Sequence, residues 1–431
     1  MTSSTGLQVA ATTDVGMRRT TNQDSHSLIC ADTPNLWLTR GHFFMVADGM
    51  GAHAAGELAS KLAADGVPYL YHKYVEHSAP EALERAIRET NAEVNRRGMA
   101  NPDFHNMGTT ASCLVILPQG AILAHIGDSR VYRLRGGQVQ QLTFDHSLQW
   151  ELRASGALPE GSDLSAAVPK NVITRSLGPN PTVQVDLEGP HPVAVGDVYM
   201  LCSDGLTGRV EDHELGMILG CLPAEEASQA LVDLANLRGG PDNITVLVAR
   251  VESPQVATGG TPAGALTIGG KNEPKHVSPI LWIVAGVAAL TAALTAVLSL
   301  YYVAIGSLAI GAVALGIALI NRYSGVNRGT ALTGGRMLGR GPYTSTPAVP
   351  NREFFDKLAA TVEELREAAQ ESNSQVNWAR FDEFVRRASA AAKSNDIAEG
   401  ICQYCRCIST TLAELRAQNN NKKASDSAIQ Y

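Results

Sequence analysis

The chain has 431 residues, 45% of them apolar and 18% charged, with a formal net charge of −7; it is too long for one ordinary core, so two or more domains are expected. Residues 1–252 carry 18 Lys/Arg against 29 Asp/Glu, while residues 253–431 carry 17 against 13, and an acidic N-terminal half argues against nucleic acid as a partner. Four of the seven cysteines are scattered singly at Cys30, Cys113, Cys202 and Cys221; there is no disulfide framework and, across Met1–Thr13, no basic-then-apolar signal pattern, which suits a reducing cytoplasm.

Residues 7–252 alternate strand-like and helix-like runs. Phe43–Ala47 reads as a strand that ends in Asp48-Gly49-Met50-Gly51. Helical periodicity covers Glu57–Tyr74 and Pro80–Arg97, with Pro80 near a helix start. Ala111–Leu117, Ala121–Ile126, Val131–Leu134 and Val139–Leu142 are β-prone runs separated by Pro118-Gln119-Gly120, Gly127-Asp128-Ser129 and Gly136-Gly137, a pattern that predicts an antiparallel meander. Val198–Cys202 leads into Ser203-Asp204-Gly205, Ala224–Leu237 has helical spacing, and Ile244–Val248 follows Asp242-Asn243. Helices on antiparallel sheets make an α+β layered domain.

Residues 253–278 are rich in Pro, Gly, Thr and Ala and read as a flexible linker. Pro279–Ile320 contains no charged residue, and a helix of that length, at about 1.5 Å per residue, crosses a hydrocarbon core of about 30 Å twice. Two transmembrane helices are therefore expected within 279–321. Lys271 and Lys275 before them, and Arg322, Arg328, Arg336 and Arg340 after them, place both ends in the cytoplasm; one long tilted span, or a span plus a re-entrant segment, is the competing arrangement. A second linker is expected at 322–350. A cytoplasmic helical region follows at 351–418, where Phe354, Phe355, Leu358, Val362 and Leu365, then Trp378, Phe381, Phe384, Val385 and Ala388, then Ile401, Cys405, Ile408, Leu412 and Leu415 recur at helical spacing. Residues 419–431 read as a disordered tail. Cys402, Cys405 and Cys407 lack a fourth zinc ligand, because no histidine follows His276, and buried thiols are the expected reading.

Five acidic motifs are spread over the N-terminal half, and all but the first adjoin one of its strand-like runs: Asn22-Gln23-Asp24, Asp48-Gly49-Met50-Gly51, Gly127-Asp128-Ser129-Arg130, Ser203-Asp204-Gly205 and Asp242-Asn243. Carboxylates brought together repel one another unless cations lie between them, and an all-oxygen shell favours Mg²⁺ or Mn²⁺. A multinuclear metal centre is the expectation.

With Arg19-Thr20-Thr21, Met107-Gly108-Thr109-Thr110 and Asn171 to Gly178, these motifs resemble, in order, the metal-dependent protein phosphatase family, also called protein phosphatase 2C, in its bacterial branch. The resemblance covers Gly6–Glu252. It implies an α-β-β-α sandwich of two antiparallel sheets flanked by helices, with two Mn²⁺ or Mg²⁺ ions between the sheets and a third as an option. Asp48 would bridge the pair and the Gly49 carbonyl would ligate one ion; Asp204 and Asp242 would hold the other. Asp24 would act directly or through water, Asp128 would serve the third ion, and Arg19 would bind phosphate. His53, beside the Asp48 motif, reads as a substrate-edge residue, with a structural role or protonation of the leaving group as alternatives. The implied activity is hydrolysis of phosphoserine and phosphothreonine in phosphoprotein substrates, opposite a cognate Ser/Thr kinase. Joined to the membrane reading, it places a multi-pass protein in the bacterial inner membrane with its catalytic domain in the cytoplasm. A phosphatase-like signalling module or scaffold with a structural metal site is the alternative.

Three positions depart from the wider family pattern. Gln23 stands where many relatives carry Glu, and Met50 stands where eukaryotic members often carry a histidine. Thr143–Gly178, which corresponds to the family's flap, lacks the usual His-Pro.

Overall fold

The computed structural model describes residues 5–51, 54–157, 168–169, 172–258, 267–268, 287–293, 302, 305, 306, 308, 309, 312, 330, 331 and 338–428. The chain divides into two units. One comprises Met1–Val75, Ala82–Gly264 and Met337–Tyr431, and the other Glu76–Glu81 and Ala265–Arg336. In the second unit, β12 (Thr267–Ile268) pairs antiparallel with β13 (Thr330–Ala331).

The first unit is built on two antiparallel sheets. One sheet has the order β1 (Leu7–Asp14), β11 (Ile244–Val251), β10 (Val198–Cys202), β7 (Arg130–Arg135), β8 (Gln138–Gln141), β14 (Thr344–Pro347). The other has the order β2 (Asp24–Ile29), β3 (His42–Met50), β5 (Ala111–Leu117), β6 (Gly120–Ile126), β9 (Asp186–His191), with the short β4 (Gly108–Thr109) on the end of β3. Their facing sides share one core: Phe44, Val46, Leu114 and Leu123 from one sheet meet Val131, Tyr199, Leu201 and Leu247 from the other. Strands buried on both faces lose polar/apolar alternation, which is why β3, β5 and β6 read as near-continuous apolar runs.

Helices cover the outer faces. α1 is the short Pro34–Thr39 turn of helix; α2 (Ala55–Lys73) packs on β3 and β2, and α3 (Ala79–Ala100) follows it. After α4 (Leu148–Ala154) and α5 (Asp204–Thr207), α6 (Asp212–Cys221) and α7 (Ala224–Leu237) close the other side. The expected sandwich of two antiparallel sheets and flanking helices is what the chain forms.

Beyond residue 337 the structure departs from the expected order. Thr344–Pro347, inside the expected 322–350 linker, is a strand that pairs with β8 from Thr344↔Gln141 to Pro347↔Gln138. An edge strand needs only backbone partners, so its Thr/Ser composition gave no apolar signal. Then α8 (Arg352–Glu371) is capped by Asn351, whose side chain accepts from Phe354 N at 2.9 Å. α9 (Trp378–Lys393) is capped by Asn377 in the same way, and α10 runs Ile397–Ala428. These three helices pack on one another and on α6 and α7, in one cluster that joins Phe354, Leu358, Phe381, Ile401 and Ile408 to Leu215, Ile218 and Leu231. The expected tail 419–431 is helical as far as Ala428.

The membrane reading is corrected. Residues 279–321, expected to form two spans, lie for the most part outside the described residues; among the described residues no helix is long and apolar enough to cross a membrane. That overturns the expected multi-pass inner-membrane localisation. The long helices α8 and α9 are amphipathic instead: α8 buries Phe354, Phe355, Leu358, Val362 and Leu365 against protein, while Glu353, Asp356 and Lys357 line its ion-paired outer face.

Candidate metal centre

The acidic motifs meet because each ends or begins a strand at the same edge of the sandwich. Asp24 opens β2 and Asp48 lies near the end of β3, and the two are register partners across the ladder. Asp204 starts α5 directly after β10, and Asp242 precedes β11, the strand next to β10. Two glycines allow the close approach. A side chain on Gly205 would meet the Asn243 carbonyl oxygen at 2.0 Å, and one on Gly49 would meet the Gly56 carbonyl oxygen at 2.1 Å.

Neutral groups that carry no carboxylate fix the acidic ones. Thr110 ties down Asp48 twice: its N donates to Asp48 O at 2.8 Å, and its Oγ1 accepts from Asp48 N at 2.8 Å. Thr109 Oγ1 donates to the same carbonyl at 2.9 Å, so Gly108-Thr109-Thr110 sets the backbone of the β3 terminus. Ser203 Oγ donates to Asp24 Oδ2 at 2.7 Å and accepts from Thr245 N at 2.9 Å. Asn243 ties three segments: Nδ2 donates to Val15 O and Thr21 O, and Oδ1 accepts from Gln23 N at 2.8 Å. Sequence reading gave Ser203, Thr110 and Asn243 no role; the one visible signal was polar residues abutting fully apolar strands.

A cavity of about 230 Å³ opens at this edge, lined by Arg19, Gln23, Asp48, Gly49, Met50, Gly51, Ile173, Asp204 and Asp242. Asp24 and Asp128 stand behind it, 8% and 7% exposed. The structure thus places Asp48, Asp204, Asp242, Gly49 and Arg19 at the cavity, with Asp24 and Asp128 buried near it; His53 lies outside the described residues. Arg19 is engaged with a carboxylate: its Nη2 donates to Asp242 Oδ2 at 2.8 Å.

Electrostatics mark the cluster as unfinished without cations. Burial, then the charges of Asp24, Asp204, Asp128 and Asp242, hold Asp48 well above the usual carboxylate range. Burial pushes Asp24 up to about 7, against hydrogen bonds from Ser203 and Thr245 and with added repulsion from Asp204 and Asp242. Asp128 is likewise driven to about 7, by burial and by Asp204 and Asp145, and burial with Asp242 raises Asp204. Buried Asp24 Oδ1 and Asp128 Oδ1 have no hydrogen-bond partner among the described residues, where native interiors leave few such atoms unsatisfied. Among those residues no three His, Cys, Asp or Glu side chains already close on one point as a preformed cage does; the Asp204 carboxyl group is hydrogen-bonded to that of Asp48, and Arg19 occupies Asp242. Carboxylate and carbonyl oxygens with lone pairs unspent are the donor set that suits Mn²⁺ or Mg²⁺.

A pH dependence follows. Asp24 and Asp128 titrate near 7 in the fold and near about 4 unfolded, so the folded state binds protons more tightly. The stability this lends is fully present below about pH 4 and is lost as pH rises through 7. Urea midpoints of the metal-free protein should fall across that interval, and added Mn²⁺ should restore more stability at pH 7.5 than at pH 5. A metal-free midpoint that is flat or rises from pH 5 to 7.5 contradicts this account.

Behind Asp128, a network missed in the sequence braces the loop. Arg130 clamps Asp145 with Nε and Nη2 at 2.9 and 2.7 Å to Oδ2. His146 Nδ1 accepts from Gly127 N at 3.0 Å, which leaves Nε2–H to donate to Asp186 Oδ2 at 2.9 Å. Arg175 Nη1 joins the same Asp186 at 2.6 Å.

Comparison with known proteins agrees with this geometry. A family model for protein phosphatase 2C matches residues 17–151. Protein phosphatase PhpP of Streptococcus pneumoniae is 36% identical over 247 residues, 56% of this chain and 96% of that protein. Among solved structures, the serine/threonine phosphatase of S. agalactiae matches with a TM-score of 0.51 at 33% identity, over 57% of this chain and 100% of that one. The Mycobacterium tuberculosis serine/threonine phosphatase PstP/Ppp matches with 0.50 at 33%, over 57% and 99%.

Proposed function

The chain belongs to the protein phosphatase 2C family and is a protein Ser/Thr phosphatase with Mn²⁺ or Mg²⁺ as cofactor, and from that premise we propose that it hydrolyses phosphoserine and phosphothreonine at the Asp48–Asp204–Asp242 cavity. The observation that carries the reading is the convergence of five buried or half-buried aspartates at one sheet edge, two of them with orphaned oxygens. So many carboxylates at one point stay ionised at neutral pH only where cations lie between them; without cations, some of them take up protons. When bound there, a pair of ions supplies an activated water and neutralises charge on the phosphoryl oxygens.

The residues divide the remaining work. Asp48, Asp204 and Asp242 line the cavity and are the ion holders; Asp24, gripped by Ser203, and Asp128 back them. Arg19 reaches Asp242 from the solvent side, with its side chain 50% exposed, and its planar fork suits two phosphoryl oxygens. Met50 lines the cavity and its thioether cannot donate a proton, so the leaving alkoxide draws its proton from another donor. Gln23 contributes an amide where a carboxylate would add a further negative charge.

Mn²⁺-dependent release of phosphate from a phosphothreonine peptide by the full chain tests the reading; metal binding without turnover overturns it. Arg19→Ala should raise KM for the peptide more than it lowers kcat, because it removes a substrate contact at the rim. Equal effects on kcat and kcat/KM, with KM unchanged, would instead assign Arg19 to the transition state alone.

A further inference from the structure

The flap root does not stand alone. Ile173, which lines the cavity, is bridged to Ser147, and the flanking backbone bonds run from Thr174 N to His146 O at 2.9 Å and from Leu148 N to Val172 O at 2.9 Å. Two residues before His146, the Phe144 ring packs edge-on against Trp150 at 5.4 Å and against Tyr343 at 5.5 Å. Tyr343 belongs to the segment that returns to the phosphatase core after residue 337.

That segment is held at both ends. Buried Glu188 of β9 accepts from Tyr343 OH, from Gly341 N at 3.1 Å and from Arg340 N at 3.4 Å, and Leu338 bridges Gly189. Tyr343 N donates to Gln141 O at 2.8 Å before β14 begins. Gln141 in turn donates through Nε2 to Asp145 Oδ1 at 2.7 Å, the carboxylate that Arg130 clamps beside Asp128. A residue far along the chain therefore touches both supports of the cavity: the Ile173 wall through Phe144, and the Asp128 loop through Gln141 and Asp145.

We propose that Leu338–Pro347 is a strap that sets the flap root, with Tyr343 as a positioning residue for substrate at the Ile173 wall. The PhpP relative aligns over only 56% of this chain, and the strap lies beyond the core motifs, which end at Asp242-Asn243. The inference rests on the phosphatase reading for its kinetic consequence, not for its structural one.

The test compares full-length Tyr343→Ala and Tyr343→Phe with the parent. The Ala change removes the ring from Phe144; the Phe change keeps it and removes only the hydroxyl to Glu188. Hydrogen exchange at Leu148 N and Thr174 N should accelerate in Tyr343→Ala, while β11 amides keep their protection and Tyr343→Phe shows a smaller change. With Mn²⁺ saturating, kcat/KM for a phosphothreonine peptide should drop roughly tenfold in Tyr343→Ala, chiefly through KM, since misplacement at a distance costs such factors. Unchanged exchange at both amides, or acceleration spread evenly through β11, overturns the strap. A parent protein without turnover overturns the phosphatase reading, and the exchange data then still decide on the strap. If Tyr343→Ala does not fold, Tyr343→Leu, which keeps apolar bulk without the ring edge, carries the same two readouts.

Discussion

Asp48→Asn is expected to lower Mn²⁺-dependent turnover by roughly a thousandfold, the scale for losing a group that stabilises transition-state charge, and to raise the Tm of the metal-free protein. Both effects come from one cause. Asp48 is half-buried at the cavity among Asp24, Asp204, Asp128 and Asp242, and each of those charges works against its ionisation. An amide of the same shape removes the repulsion and keeps the backbone bonds to Thr110 and Thr109, which use only main-chain atoms of residue 48. A domain of this size gains about 2–4 °C for each kcal/mol relieved. Stability exchanged against activity in this way is the mark of a site strained for function. Turnover retained within a factor of ten removes Asp48 from the ion-holding set; a metal-free Tm that falls removes the repulsion account.

Much of the centre was legible because its residues stand at strand ends, where a turn-forming Asp-Gly or Asp-Asn follows or precedes an apolar run. Asp48, Asp204 and Asp242 each carried that signal, whereas Asp24 was picked out only by its place in the ordered set of motifs; α7 matches its periodic stretch Ala224–Leu237. The groups that orient the carboxylates were not legible. Ser203, Thr110 and Asn243 act by short bonds to residues 179, 62 and 220 positions away, and local spacing says nothing about such partners. His146 and Asp186 were hidden for the same reason. The ion pair of Arg19 with Asp242 depends on which of several charges lies nearest in space. Apolar length predicted spans in 279–321 from hydropathy alone, and the described helices gave no such span. β14 was missed because it carries almost no apolar signal, and its place is set by the open edge of β8.

That edge and the helices behind it give the second large expectation. A chain ending at residue 258 keeps every cavity residue yet should be less stable than the full chain by at least about 3 kcal/mol, the worth of one or two Leu-sized side chains returned to water. The outer faces of α6 and α7 are finished by the C-terminal helices. Ala348 lies so close to α6 that a side chain on Gly216 would meet its Cβ at 2.4 Å. Cys402 Sγ donates to Cys221 O at 3.0 Å at the end of α6, and Arg406 Nε reaches Glu226 Oε2 at 2.6 Å on α7. Arg416 Nη1 lies 2.8 Å from Asp233, whose side chain is fully shielded in the complete fold. Truncation removes these partners together, strips β14 from β8, and opens an apolar face of the kind that drives association. The measurable signs are a lower urea midpoint, dye binding at exposed apolar surface, and concentration-dependent association in sedimentation. A truncated chain that is monomeric with an unchanged midpoint would show that α6 and α7 need no cover. The Asp48→Asn substitution in the full chain provides the contrast: there the cavity fails while the fold gains, whereas here the cavity residues are intact and their scaffold is lost.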